Sequence, residues 1–275
     1  MIAGLTEVRE LAWRNSGDVA LVVSHSGGKD SMRMLGVLQR ELPELPIYCV
    51  LADTGFEHQT PISAEDWVQI RCASLAHPVP VTVVRNPNKT YLEMVERRGR
   101  FPSARYRQCT SDLKRGPIER FIRSLGYKVV INCMGIRAEE SRSRAQLQPW
   151  SANNALATRT RQAFNWLPIF GESLRDVLEW HWNSGTPLHP VYIPEFHCDG
   201  TSGGYLRRFS CRVCIFSTDH DLIQIAKHDP VAFARVSDLE QRLGFTMRPG
   251  KTLLEILDSR ETSQSSDALQ SCFSF

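Results

Sequence analysis

The sequence has no run approaching the roughly 18 consecutive apolar residues of a membrane-spanning helix. Its first 25 residues (MIAGLTEVRELAWRNSGDVALVVSH) carry charges where a secretory signal needs an uninterrupted apolar stretch. Membrane association and export are therefore not expected, and the cytoplasm is the expected compartment. Eight cysteines in 275 residues are too few for a disulfide scaffold, and in a reducing compartment a C-x-x-C pair points to metal binding or redox chemistry. Lysine is scarcer, with 6 against 27 arginines among the 33 basic residues. The eight histidines form no H-x-x-H or H-E-x-x-H pattern, so none is assigned to a metal. No internal repeat is present.

What is there describes a globular chain: 42% hydrophobic and 23% charged residues with a net charge of +3. Arginine's planar fork suits bidentate phosphate contacts, although the base composition of a gene can produce the same bias. Eleven arginines and two lysines fall within residues 97–144. That density suggests a polyanion-facing surface, with an ordinary solvated face as the alternative.

Residues 18–24 (DVALVVS) are a β-branched apolar run ending at a Ser/Gly cluster, and residues 29–40 have helical spacing. The alternation continues with strands at 47–52, 79–84 and 128–133 and helices at 64–76 and 113–125. This predicts an α/β fold with a doubly wound, mostly parallel sheet. Ligands of such sheets sit beyond the carboxyl ends of the strands, where strand order reverses. Residues 26–31, 53–60 and 135–144 are the segments so placed. Past residue 149 the alternation fades, and helices are expected at 173–182, 219–228 and 231–243. The expected organisation is a nucleotide-binding core over 1–148, a cap over 149–259 bearing the C-x-x-C region, and a flexible Ser-rich tail over 260–275.

Between the first strand and helix stands Ser26-Gly27-Gly28-Lys29-Asp30-Ser31. Two glycines let successive N–H groups point at an anion, the helix N-terminus adds partial positive charge, Lys29 adds a full charge and Ser31 a hydroxyl. SGGKDS resembles the pyrophosphate-binding PP-loop of the N-type ATP pyrophosphatases, the superfamily that includes phosphoadenosine phosphosulfate (PAPS) reductases. Three further segments carry the resemblance, which spans about residues 18–243. Asp53-Thr54-Gly55 followed by Glu57 is similar to the family's acidic strand end, where Asp53 could hold Mg²⁺ or cap a turn. Gly135-Ile136-Arg137 with Glu140-Ser141 is similar to its G-I-R-x-x-E-S segment, which implies that Arg137 binds phosphate and Glu140 orients it. Cys109 followed by Lys114 and Pro117 is similar to its cysteine-then-lysine motif.

The resemblance implies an adenine nucleotide alpha-hydrolase-like fold, ATP and Mg²⁺ as ligands, and Lys29, Asp53, Lys114 and Arg137 as catalytic residues. Nucleotide contacts would come from residues 26–31, Asp53, Thr54, Gly135, Arg137 and Glu140. Cys211-Arg212-Val213-Cys214 is a C-x-x-C pair, and with Cys109 and Cys198 it makes a four-thiol set suited to a [4Fe–4S] cluster. Zinc and unliganded redox thiols stay open as alternatives, and His197 could replace Cys198. Cys49, Cys72 and Cys133 lie in apolar elements and are expected to be buried.

Thioredoxin-dependent PAPS reductases share a terminal E-C-G-x-H segment, whereas Cys272 here has neither the Glu, the Gly nor the His. The look is nearer the sulfurtransferase subunits of DNA phosphorothioation systems. The expected function is ATP-dependent sulfur transfer by adenylylation, with a sulfur donor such as a cysteine desulfurase and possible contact with DNA. PAPS or adenylyl-sulfate reduction and a non-catalytic nucleotide-binding regulator are the alternatives.

Overall fold

The structure is a computed structural model that describes residues 2–59, 61–197, 203–209 and 211–259. Six strands form its sheet: β1 (Val19–Ser24), β2 (Ile47–Asp53), β3 (Val81–Arg85), β4 (Val129–Met134), β5 (Trp150–Ala152) and β6 (Gln162–Trp166), in the order β3-β2-β1-β4-β6-β5. Pairings among β1, β2, β3, β4 and β6 are parallel, and β5 closes one edge antiparallel to β6. The helices are α1 (Leu5–Arg14), α2 (Lys29–Glu41), α3 (Ala64–Ala73), α4 (Tyr91–Arg98), α5 (Gly116–Ser124), α6 (Arg142–Ala145), α7 (Leu174–Ser184), α8 (Asp219–His228) and α9 (Pro230–Leu243). None of the described helices is long and apolar enough to cross a membrane.

Strand β1 is apolar from Val19 to Val23 because both of its faces are covered. Val19, Leu21 and Val23 pack with Met34, Leu35 and Leu38 of α2 and Val8 of α1, while Val22 packs on the other face with Ile122 of α5. This is the doubly wound arrangement that the alternation predicts. Two short strands, β5 and β6, extend the sheet beyond the point where the alternation fades.

A second core joins Phe56, Tyr91, Met94 and Leu113 to Val191, Val213, Leu222, Phe233 and Leu239. Both the sheet and this second core therefore extend across residue 148. The expected helix at 113–125 begins earlier, as a π-helix over Cys109–Arg115 that runs into α5. Wide helical turns of this kind recur at functional sites. Here the turn carries both Cys109 and Lys114. The tail at 260–275 lies outside the described residues.

Candidate active site

Strand order reverses between β1 and β4, with β2 and β3 on one side and β6 and β5 on the other. Ser24 pairs with Val50 of β2 and with Met134 of β4, so the loops leaving these strands start side by side. Residues 26–31 and 135–141 thus meet at the crevice where such sheets bind ligands.

Gly27 has φ +87°, a conformation that a residue with a side chain resists, and Gly28 caps α2. The two loops touch through backbone: a Cβ on Gly135 would lie 3.0 Å from the carbonyl carbon and oxygen of Asp30. The turn is braced from within. The Ser31 hydroxyl donates to the Gly28 carbonyl at 2.8 Å, and the Gly27 N–H donates to Nδ1 of His25 at 3.0 Å. The second bond makes Nε2 the protonated nitrogen of a neutral His25, and burial lowers that residue to about 4. Tyr192 reaches across to accept the Lys29 N–H at 3.1 Å. A ring nitrogen of His181 lies 3.0 Å from the Lys29 carbonyl.

Three charges organise the loop. Asp30 holds the Lys29 ammonium at 2.9 Å with one oxygen and Nε of Arg137 at 2.6 Å with the other. Burial works to raise the Asp30 carboxyl, but Lys29 and Arg137 outweigh it and hold it below the usual carboxylate range. Arg137 is 4% exposed, and its second contact is to Glu139 at 2.7 Å. The assignment of Glu140 as the group that orients Arg137 needs correction. Glu140 accepts from the Arg137 backbone N–H at 3.0 Å and pairs with Arg144, so it shapes the turn, while Asp30 and Glu139 hold the guanidinium.

Asp53 is already engaged. It accepts the Gly55 N–H at 2.7 Å with one oxygen and pairs with the exposed Arg85 at 2.5 Å with the other, which leaves each oxygen a second lone pair. Burial favours its protonation, but Gly55, Glu57 and Arg85 prevail and lower it. Glu57 takes the N–H of Thr54 at 2.9 Å and its hydroxyl at 2.8 Å. Burial raises the Glu57 carboxyl, Lys114 opposes, and the hydrogen bond to Asp53 adds to the rise.

Lys114 stands away from the glycine loop, among the cysteines. Cys211 raises its pKa most, and Glu57 and Cys214 add to this against burial. The side chains of Cys109, Cys211 and Cys214 are close enough to act on one another. Burial pushes Cys211 up to about 12, with Lys114 working against it. A thiolate forms here only beside a counter-charge, which the ammonium or a metal supplies. The Tyr91 hydroxyl is buried in the same neighbourhood without a hydrogen-bond partner. Thiol donors, a cation and an orphaned donor suit a thiolate-held centre chemically. Among the described residues, however, no three His, Cys, Asp or Glu are grouped tightly enough to hold a single ion. Cys198, the fourth expected ligand, lies outside the described residues. Cys49, Cys72 and Cys133 are buried, as expected.

The arginine-dense segment is not deployed as one face. Arg137 is buried at the loop, Arg115 and Arg123 pair with Glu119, and Arg144 pairs with Glu140. Sequence reading also missed Tyr192 and His181, which reach the loop from 163 and 152 residues away. No local signal announces such contacts.

Residues 20–202 match the phosphoadenosine phosphosulfate reductase domain. The chain belongs to this family. An uncharacterized 37.8 kDa protein of Escherichia phage 186 is 25% identical, over 84% of this chain and 77% of its own length. An uncharacterized protein of Methanocaldococcus jannaschii is 28% identical, over 64% of this chain but 34% of its own length. Among solved structures, the PAPS reductase of Candida auris in its phosphate complex has a TM-score of 0.41 at 13% identity, covering 67% of this chain and 81% of that one. The U34-tRNA thiolase of Methanococcus maripaludis with its [4Fe-4S] cluster has a TM-score of 0.45 at 14% identity, covering 92% and 85%. As a member of the family the chain shares its α/β fold, with the glycine loop at the reversal of strand order.

Proposed function

We propose that this member of the PAPS reductase domain family transfers sulfur at the expense of ATP, adenylylating an acceptor oxygen and releasing pyrophosphate. The acceptor in this reading is a DNA phosphate, as in phosphorothioation. One observation carries it: the glycine loop at the reversal of strand order is clamped through Asp30 by two cations, Lys29 and Arg137. That arrangement sets the N-terminal turn of α2 and two cations where a polyphosphate would sit, while Gly135 lets the two loops lie backbone to backbone.

The acceptor oxygen attacks the α-phosphorus of ATP, the bond to the β,γ unit breaks, and pyrophosphate leaves with the electron pair into residues 26–31. The outer sulfur of a persulfide, supplied by a donor such as a cysteine desulfurase, then attacks the activated phosphorus and displaces AMP with the bridging oxygen. A second thiol attacks the inner sulfur, breaks the S–S bond, and leaves the sulfur on the acceptor and a disulfide on the donor side. The N-terminus of α2 and Lys29 stabilise the leaving charge, and prearranged donors of this type contribute about 3–4 kcal/mol each. Mg²⁺ would enter with the triphosphate, and Asp53 at the end of β2 would hold it or its waters. No step here uses the metal.

Cys109, Cys211 and Cys214 would hold a [4Fe–4S] cluster, with the fourth ligand from Cys198; zinc is the alternative centre. When bound, such a cluster supplies iron that can hold a sulfur ligand. Lys114 keeps positive charge against these thiolates.

The test is product identity. With Mg–ATP, acceptor and donor, chromatography should show AMP and pyrophosphate, and Lys29→Ala should remove most of both. ADP and orthophosphate as sole products would overturn the reading. Anaerobically purified protein should be brown with about four irons per chain, and Cys211→Ser or Cys214→Ser should each lose the colour. Zinc in place of iron would replace the cluster with a structural metal. The family's own description favours a second reading, reduction of PAPS or adenylyl sulfate, and release of sulfite from either would establish it.

A further inference from the structure

Two arms of chain leave the cysteine neighbourhood and expose aromatic rings covered by arginine. Phe216, two residues past Cys214, is 39% exposed, with the guanidinium carbons of Arg107 and Arg208 at 5.7 and 5.8 Å from its ring centre. Tyr106, three residues before Cys109, is 59% exposed under Arg105 at 5.4 Å. A water-sized hollow lined by Leu206, Arg208, Cys214, Phe216, Ser217 and Asp221 lies against the Phe216 ring. Among the described residues, Arg105, Arg107 and Arg208 have no carboxylate partner. The nearby acids are committed elsewhere: Asp219 pairs with Arg248, Asp112 with Lys89, and Asp221 accepts the Thr218 N–H.

We infer that this surface docks an unpaired nucleic-acid strand, with bases stacked on Phe216 and Tyr106 and phosphates on Arg105, Arg107 and Arg208. The inference rests on the proposed reaction and names how its acceptor is presented. Aromatic faces and guanidinium planes stack any nucleobase, but only when the base is free of its duplex partner. Arginines without carboxylate partners meet the phosphates between successive bases. Cys214 lines the same hollow, so a docked strand lies against the cysteine centre.

Fluorescence anisotropy tests this with labelled oligo-dT and oligo-U of about 20 nucleotides, longer than one single-strand site, and a duplex of matching length, over a salt series. The full chain should bind the single DNA strand about tenfold tighter than the duplex, and tighter binding of oligo-U than of oligo-dT overturns the inference. Phe216→Ala should weaken strand binding about tenfold with an unchanged salt slope, one base stack being lost. Phe216→Leu, which keeps an apolar side chain but no ring, should weaken it similarly. Arg107→Gln with Arg208→Gln should lower the log–log salt slope by about 1.4, for two phosphates at about 0.7 each. Equal or tighter duplex binding, or no effect of either Phe216 variant, overturns the inference. Mg–ATP binding without any strand binding overturns it and leaves the proposed reaction standing, whereas strand binding without Mg–ATP binding does the reverse.

Discussion

Asp30 is the residue on which the loop's electrostatics turn. Its side chain is 17% exposed, with Lys29 at 8% and Arg137 at 5%, so three charges share a site where none is well solvated. Removing the middle charge leaves two cations facing each other at short range. Breaking a buried ion pair from one side costs about 3–5 kcal/mol, so Asp30→Ala should lower stability by that order and abolish Mg–ATP binding. Urea denaturation checks the first effect and equilibrium dialysis the second. A variant as stable as the parent would mean that the pairing contributes nothing. Tyr192→Phe is the milder case: it leaves the Lys29 N–H without its 3.1 Å partner and should cost about 1 kcal/mol.

At the scale of elements, the close approach of the β4 loop to the first turn of α2 controls the crevice. A methyl on Gly135 would meet Asp30 backbone atoms at 3.0 Å, and backbone cannot swing aside as a side chain does. Gly135→Ala should destabilise by about 1–3 kcal/mol, in the range of overpacking, and weaken Mg–ATP binding while the circular dichroism spectrum stays native. Retained affinity would show that the two loops are free to separate. Long periodic elements were legible in advance: α8 runs over the expected residues, and α9 and α2 each differ from expectation by one residue at one end. Strands β5 and β6 were not legible, since three and five residues rich in Trp and Asn carry no period-two pattern. Helix α4 carries both the capping box of Thr90 and Glu93 and an apolar face of Tyr91, Met94 and Val95 at helical spacing, but its eight residues are short enough to be passed over. The glycine loop was read from its own residues, whereas its braces arrive by tertiary contact.

The whole molecule carries a proton ledger set by buried histidines. His25, His58 and His189 are 3%, 2% and 1% exposed, and burial lowers each to about 4, with His189 adding to the effect on His58; burial also lowers His181. They gather near the loop: His58 and His189 both pack on Phe209, which also covers Gly27. In the unfolded chain these imidazoles protonate near 6.5. Between about 6.5 and 4 the unfolded chain therefore binds more protons than the fold, and acid favours unfolding throughout that window. Stability from these groups is full above about pH 6.5, falls as pH drops, and levels off below about 4, where Asp30 begins to contribute its own loss. Each histidine adds at most about 1.4 kcal/mol per pH unit, so the slope counts how many take part. Urea denaturation between pH 7.5 and 4.5, about the window just named, should give a slope of more than one proton. His189→Gln, which keeps a donor for the Ile62 carbonyl at 3.2 Å, should lower it by one. A flat profile through this range would mean that the three rings are hydrated in the fold and that the packing of Phe209 over the glycine loop is looser than described.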